Sequence, residues 1–242
     1  MKNLICTIEA RMGSTRLPGK SMMTLFKQYK LIDFVILNAL QSNYLSKKNI
    51  YILTSKKKNN YKLINYIKDK YELKTVIGSE KNVLSRYLKL KRINSTVVRL
   101  TADNPMVDPS FIDKSIKYFK KIKADYASSR SMADSLRWKV KSDYPKGISI
   151  ELFKMKDLLK FKKKFNRKNW EYPTWIFYNK IFTGKISKIK LFKGYSKVNN
   201  FSFTIDTKQD LKRLKSLISK HNFKPGENNF QKYIKNLKSR NR

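Results

Sequence analysis

Strands alternating with helices along most of the 242 residues predict an α/β fold: three layers built on a mostly parallel, twisted sheet, with a small excursion from it. Apolar, β-prone runs recur at Leu4–Ile8, Asn49–Thr54, Lys74–Ile77 and Thr96–Thr101. Between them lie stretches with apolar residues at helical spacing, at Leu31–Leu40, Tyr61–Tyr71 and Val83–Ile93. Short turns join the two kinds, the pattern of parallel strands covered by helices on both faces. A chain of this length buries a proper core. One domain over residues 1–221, with the excursion at about 130–195, and a basic C-terminal tail over 222–242 are expected.

The first strand runs into Ala10-Arg11-Met12-Gly13-Ser14-Thr15-Arg16-Leu17-Pro18-Gly19-Lys20. Gly13 and Gly19 let the backbone approach a ligand closely, and Pro18 stiffens the turn. Amide N–H groups flanked by Arg11, Arg16 and Lys20 make an anion cradle suited to phosphate. The alternative is a basic surface loop in a very basic chain. Gly19-Lys20-Ser21 ends like a P-loop, but that motif needs glycine at Ser14 and a helix opening at the lysine. Ser21–Lys30 is Met-rich without strong periodicity, so the P-loop is set aside.

Farther on, Ser79 or Asn82 reads as the cap of the third helix, with Arg86 on its surface. The strand Thr96–Thr101 stops at Asp103-Asn104-Pro105, where ligands of parallel sheets bind. Asp103 there either faces the mouth of a site or starts an Asx turn. Asp108 before Pro109 reads as the cap of a helix over Ser110–Lys121. Arg130–Ser142 has no assignable pattern. Tyr144-Pro145-Lys146-Gly147 turns into an alternating strand carrying Glu151, and Met155–Phe165 reads as a basic helix. Trp170, Trp175, Phe177 and Tyr178 read as core or subunit-interface aromatics. An alternating strand, Asn200–Asp206, precedes a helix from about Lys208 to Lys220. Thr207 with Asp210 approximates a capping box, which leaves Asp206 to face a site. Asp206 as the cap itself is the alternative. Beyond His221 one short helix is expected between Phe230 and Leu237.

The 56 basic and 17 acidic residues give a net charge of +39. Such a charge suits nucleic acid or an anionic membrane. The lysines, however, are spread over nearly every element, and no nucleic-acid-binding motif appears. An AT-rich coding bias with an anionic substrate accounts for the balance, so neither nucleic acid nor membrane insertion is expected. No run of roughly 18 apolar residues is present. A single cysteine, Cys6, cannot form an internal disulfide, and a reducing, cytoplasmic setting is expected.

The loop Ala10–Lys20 resembles the nucleotide-binding signature of the cytidylyltransferase superfamily that makes CMP-activated acidic sugars, in the form found in its SpsF-type polysaccharide-biosynthesis branch. Gly78-Ser79-Glu80-Lys81-Asn82-Val83-Leu84-Ser85-Arg86-Tyr87 resembles the family's glycine-then-DVLxRY segment, with Asn82 where aspartate is usual. Arg99–Pro109 and Asn200–Leu211 match two further motifs in order, and Ala124–Ser128 resembles the next strand. Trp170-Glu171-Tyr172-Pro173-Thr174 stands where the family has an Arg-Glu-His-Val-Thr-like segment, without its arginine and histidine.

The resemblance implies a Rossmann-like nucleotidyltransferase fold and CMP transfer from CTP to an acidic sugar, with Mg²⁺ as cofactor and release of pyrophosphate. It implies nucleotide binding by Ala10, Arg11, Gly13, Ser14, Arg16, Lys20, Gly78, Arg86, Thr101 and Asp103. Catalysis falls to Arg11, Lys20, Asp103 and Asp206, with the two aspartates as metal ligands. Glu151 and Glu171 fall on the acceptor side, and a homodimer through the excursion is expected. The alternatives are a nucleic-acid-binding protein driven by charge and a family member that binds nucleotide without catalysis.

Overall fold

The computed structural model describes residues 3–56, 58–129, 144–189, 198 and 201–239. The unassigned stretch 130–142 and the end of the expected excursion, 190–195, lie outside them. Seven strands form the main sheet: β1 (Leu4–Glu9), β4 (Ile50–Ser55), β5 (Lys74–Gly78), β6 (Thr96–Thr101), β7 (Tyr126–Ser128), β8 (Glu151–Lys154) and β9 (Ile186–Lys188). Their order is β5-β4-β1-β6-β8-β7-β9. The first four run parallel, β8 lies antiparallel between β6 and β7, and β9 pairs parallel with β7. This is the expected α/β sheet. β4 is buried along its whole length and β1 along all but its last residue. Their continuous apolar runs, rather than alternation, suit strands covered on both faces.

Helices α1 (Leu31–Leu40), α2 (Tyr61–Tyr71), α3 (Leu84–Leu88), α4 (Pro109–Ile122), α5 (Met155–Lys160), α6 (Lys208–His221) and α7 (Asn229–Ser239) cover the sheet. One core joins β1 and β4 to α1, α2, α4, α6 and α7. A second joins the other face to α3, α5 and the aromatic stretch Phe165–Phe182. Trp170 and Trp175 pack against this second core, while Phe177 is buried within it.

Several expectations change. Ser21–Lys30 is a short 3₁₀ turn followed by a small hairpin, β2 (Thr24–Phe26) with β3 (Tyr29–Lys30). The third helix stops at Leu88, and Lys91 takes a positive φ of 50°. The helix expected over Met155–Phe165 is cut at Lys160 and continues as a 3₁₀ turn. No strand forms ahead of Asp206: one bridge, Lys146 to Ser202, is the sole pairing there among the described residues. Residues set apart as a tail pack into the main core instead, through Phe223, Phe230 and Ile234. Asp108 flanks α4 without capping it by side chain. Its carboxylate accepts the Phe230 and Gln231 N–H groups, each at 2.9 Å, and so caps α7 in trans.

Candidate active site

A cleft of about 560 Å³ opens at the carboxyl ends of β1 and β6. Its first wall is the loop Ala10–Lys20, held by backbone and side-chain bonds. The Gly19 N–H donates to the Met12 carbonyl at 2.8 Å, and the Met12 N–H donates to Asn60 Oδ1 at 2.8 Å. Gly19 takes φ +75°, which a side chain would strain. Gly13 serves differently. A Cβ there would stand 2.5 Å from a Glu80 carboxylate oxygen, so the missing side chain makes room for Glu80.

Lys20 is the centre of the arrangement. Its ammonium donates to Asp103 Oδ2 at 3.0 Å, Asp206 Oδ1 at 3.1 Å and the Ile205 carbonyl at 2.7 Å. Three residues separated by as many as 186 positions therefore meet at one point. The capping box of α6 makes this possible. Thr207 Oγ1 accepts the Asp210 N–H, and Asp210 accepts the Thr207 N–H. Asp206 thus has no capping duty and turns into the cleft. Its other oxygen takes Arg16 at 3.0 Å and Lys146 at 3.3 Å. Burial opposes ionisation of Asp206, but the ammonium groups of Lys20 and Lys146 outweigh it and hold the carboxyl below its usual range.

Lys146 was no candidate in the sequence. Its loop is fixed by the Phe203 N–H, which donates to the Lys146 carbonyl at 2.6 Å. Gly147, at φ +95°, lies so close to the Phe203–Thr204 backbone that a Cβ would collide with it.

Arg11 donates to Glu171 at 2.9 Å and to Glu80 at 3.3 Å. Glu80 is also held by Ser55 Oγ, which in turn accepts Asn60 Nδ2 at 2.6 Å. Glu80 and Asn60, also missed from the sequence, brace the loop. Arg86 is almost wholly buried. It donates to the Ser79 and Glu80 carbonyls at 2.8 to 3.1 Å, and burial lowers its pKa. It shapes the 78–82 turn from within rather than lying on the helix surface, and its Cγ packs where a Gly78 side chain would stand.

Glu151 lies at the buried floor. It accepts Arg99, Tyr126 Oη at 2.5 Å and Tyr178 Oη. Arg99 also pairs with Glu9 at 2.7 Å, and Tyr87 Oη donates to Glu9 at 2.7 Å. Burial and the neighbouring carboxylate raise the Tyr126 and Tyr178 pKa values well above their ordinary one. Arg99 is partly buried, yet Glu9 and Glu151 hold its guanidinium firmly charged. Neither Glu9 nor Arg99 was singled out as a site residue from the sequence.

Of the residues expected at the site, Ala10, Arg11, Ser14, Arg16, Lys20, Arg86, Thr101, Asp103, Glu151, Glu171 and Asp206 line the cleft. Gly13 and Gly78 are not among its lining residues. Six basic and five acidic residues line the cleft, whereas the chain holds 56 and 17. Among the described residues no cluster of three His, Cys, Asp or Glu side chains could hold a metal. The Lys20 ammonium nevertheless sits among two carboxylate oxygens and a carbonyl, an all-oxygen set that suits a hard divalent cation completed by phosphate and water. The single histidine, His221, stacks on Phe223 and does not line the cleft. No helix among the described residues is long and apolar enough to cross a membrane.

Comparison with known proteins gives this geometry a context. The family model described as "Cytidylyltransferase" matches residues 5–229. The spore coat polysaccharide biosynthesis protein SpsF of Bacillus subtilis is 37% identical over 121 residues, which span 48% of this chain and 50% of SpsF. An uncharacterised protein of Methanocaldococcus jannaschii is 29% identical over 218 residues, 86% of this chain and 80% of that one. Among solved structures, a cytidylyltransferase from Leptospira borgpetersenii superposes with a TM-score of 0.81 at 22% identity, covering 99% of this chain and 94% of that one. CMP:2-keto-3-deoxy-manno-octonic acid synthetase complexed with CTP gives a TM-score of 0.59 at 14% identity, covering 90% and 99%. At these identities the two structures establish the shared fold.

Proposed function

The chain belongs to the cytidylyltransferase family, and from that premise we propose that it transfers CMP from CTP to an acidic sugar, releasing pyrophosphate, for a surface polysaccharide or glycan. The observation that carries the proposal is the meeting of Lys20 and Arg16 with Asp103 and Asp206 in one cleft. The name of SpsF supports the polysaccharide setting, and the octonic acid for which the synthetase is named supports the acceptor class.

The acceptor oxygen attacks the α-phosphorus in line, and the bond to the bridging oxygen of pyrophosphate breaks. Little covalent chemistry is asked of the protein, so positioning and charge neutralisation carry the catalysis. Loop amides of residues 10–20 and the Arg11 and Arg16 side chains hold the triphosphate. Lys20 stabilises the departing pyrophosphate charge. Asp103 and Asp206 would hold Mg²⁺, which neutralises phosphate charge when bound. The Glu9–Arg99–Glu151 series, buried at Glu151, fixes the floor on which the acceptor sits, with Glu171 at its rim. The proposal includes a homodimer through the excursion, whose Tyr172 and Ile181 are exposed, and a cytoplasmic place of action.

The test is pyrophosphate release from CTP with Mg²⁺ and a panel of sugar acids. Turnover that needs both CTP and one acid is expected. A folded protein that turns over no nucleotide with any acceptor would overturn the proposal.

A further inference from the structure

We infer that Lys20 is an exchangeable internal cation. Without ligand it occupies the place of the divalent ion between Asp103 and Asp206, and it leaves for the triphosphate as that ion enters. The inference rests on the proposed metal role of the two aspartates, and its test separates the two.

Three observations carry it. The Lys20 ammonium has three oxygen partners within 3.1 Å, namely both aspartates and the Ile205 carbonyl. That set already satisfies all three of its N–H donors, so the lysine has none left for phosphate while it stays there. The side chain is only 12% exposed, which marks a built position rather than a passing surface contact. Arg16 and Lys146 differ. Each reaches Asp206 by its outer oxygen alone, and each is about two-thirds exposed, at 64% and 66%. They can turn to a ligand without vacating the space between the two aspartates.

Two cations cannot share that space, because an ammonium and a divalent ion at ion-pair distance repel each other strongly. The divalent ion alone must therefore displace Lys20 into open solvent. With a triphosphate present, the released ammonium gains new anionic partners on the same loop. Metal and nucleotide consequently favour each other's binding, and the coupling is reciprocal. Lys20 sets its size. The same contact keeps Asp103 and Asp206 from repelling each other in the empty enzyme, so the cleft stays assembled between turnovers.

The experiment measures Mn²⁺ binding to the full chain without nucleotide, following free Mn²⁺ by electron paramagnetic resonance. Lys20→Met is expected to bind Mn²⁺ about tenfold or more tightly than wild type. Arg16→Met removes the same charge from the same aspartate but leaves the shared space filled, and is expected to tighten binding by much less. Equal gains in the two variants, or none in Lys20→Met, overturn the exchange. Failure of Asp103→Asn and Asp206→Asn to weaken Mn²⁺ binding overturns the metal role itself, and the inference with it.

A measurement on wild type covers the case in which Lys20→Met does not fold. Acetylation of Lys20 by acetic anhydride, read by mass spectrometry, should rise on adding Mg²⁺ and fall again on adding CTP. Labelling of Lys20 that is indifferent to Mg²⁺ counts against the exchange.

Discussion

The buried carboxyl of Asp108 gives the sharpest prediction about stability. Burial outweighs two amide donors and raises its pKa from 3.8 to about 7. Between those values the folded state holds more protons than the unfolded chain, so stability falls as pH rises through this range. The Asp108 contribution is fully present below the unfolded value of 3.8 and is gone above the folded value. Integrated from pH 5 to pH 8, the loss is about 2.5 kcal/mol. The assay is urea unfolding at several pH values for wild type and Asp108→Asn. Asparagine keeps one acceptor for the α7 amides but does not titrate. The variant should therefore lose about 1–2 kcal/mol at low pH and lack this part of the slope between pH 5 and 8. Identical slopes for the two proteins would refute the assignment. The effect reaches the cleft because α7 packs Phe230 and Tyr233 on Phe203, with ring centroids 5.2 and 5.8 Å apart, three residues before Asp206.

Three further outcomes are expected. Asp103→Asn and Asp206→Asn should each lower kcat by about a hundredfold or more with unchanged far-ultraviolet circular dichroism, and an unchanged rate would remove that residue from the site. Gly147→Ala combines a left-handed backbone with a backbone collision, and should cost about 2–5 kcal/mol in urea unfolding while also lowering activity; wild-type stability would show that the crossing at Phe203 relaxes freely. Arg99→Met leaves Glu9 and Glu151 without their shared guanidinium and should destabilise by about 3–5 kcal/mol, against a change under 1 kcal/mol if the carboxylates neutralise at no cost.

The parallel half of the sheet was legible because its strands are continuous apolar runs, and runs of that kind need no partner to be recognised. Among the described residues the strand expected before Asp206 does not form, since alternation in Phe201, Phe203 and Ile205 records which side faces the core and not whether another strand lies alongside. The hairpin at Thr24–Lys30 escapes notice because its strands are very short and its turn uses Lys27 at φ +48° in place of glycine or asparagine. At the cleft, the loop and the two aspartates can be picked out by their motifs. Glu80, Asn60, Lys146 and the pairing of Arg99 with Glu9 cannot, because each is defined by a partner 25 to 90 residues away. Asp108 is a cap, as its place before Pro109 suggests, but of a different helix. A Pro at the first helical position marks where a helix starts, not which amides its neighbour serves.

The near balance of charge in the cleft sets it apart from the rest of a +39 molecule. Over most of the surface, excess lysine draws in any polyanion from several ångströms away, and dissolved salt damps that pull within about 10 Å. Inside, each cation already has a carboxylate or carbonyl beside it, so under the proposed function a nucleotide is retained by exchange of short contacts and not by bulk attraction. Under the proposed function, capture and retention therefore answer to different physics: raising ionic strength is expected to slow the arrival of CTP far more than it shortens its stay.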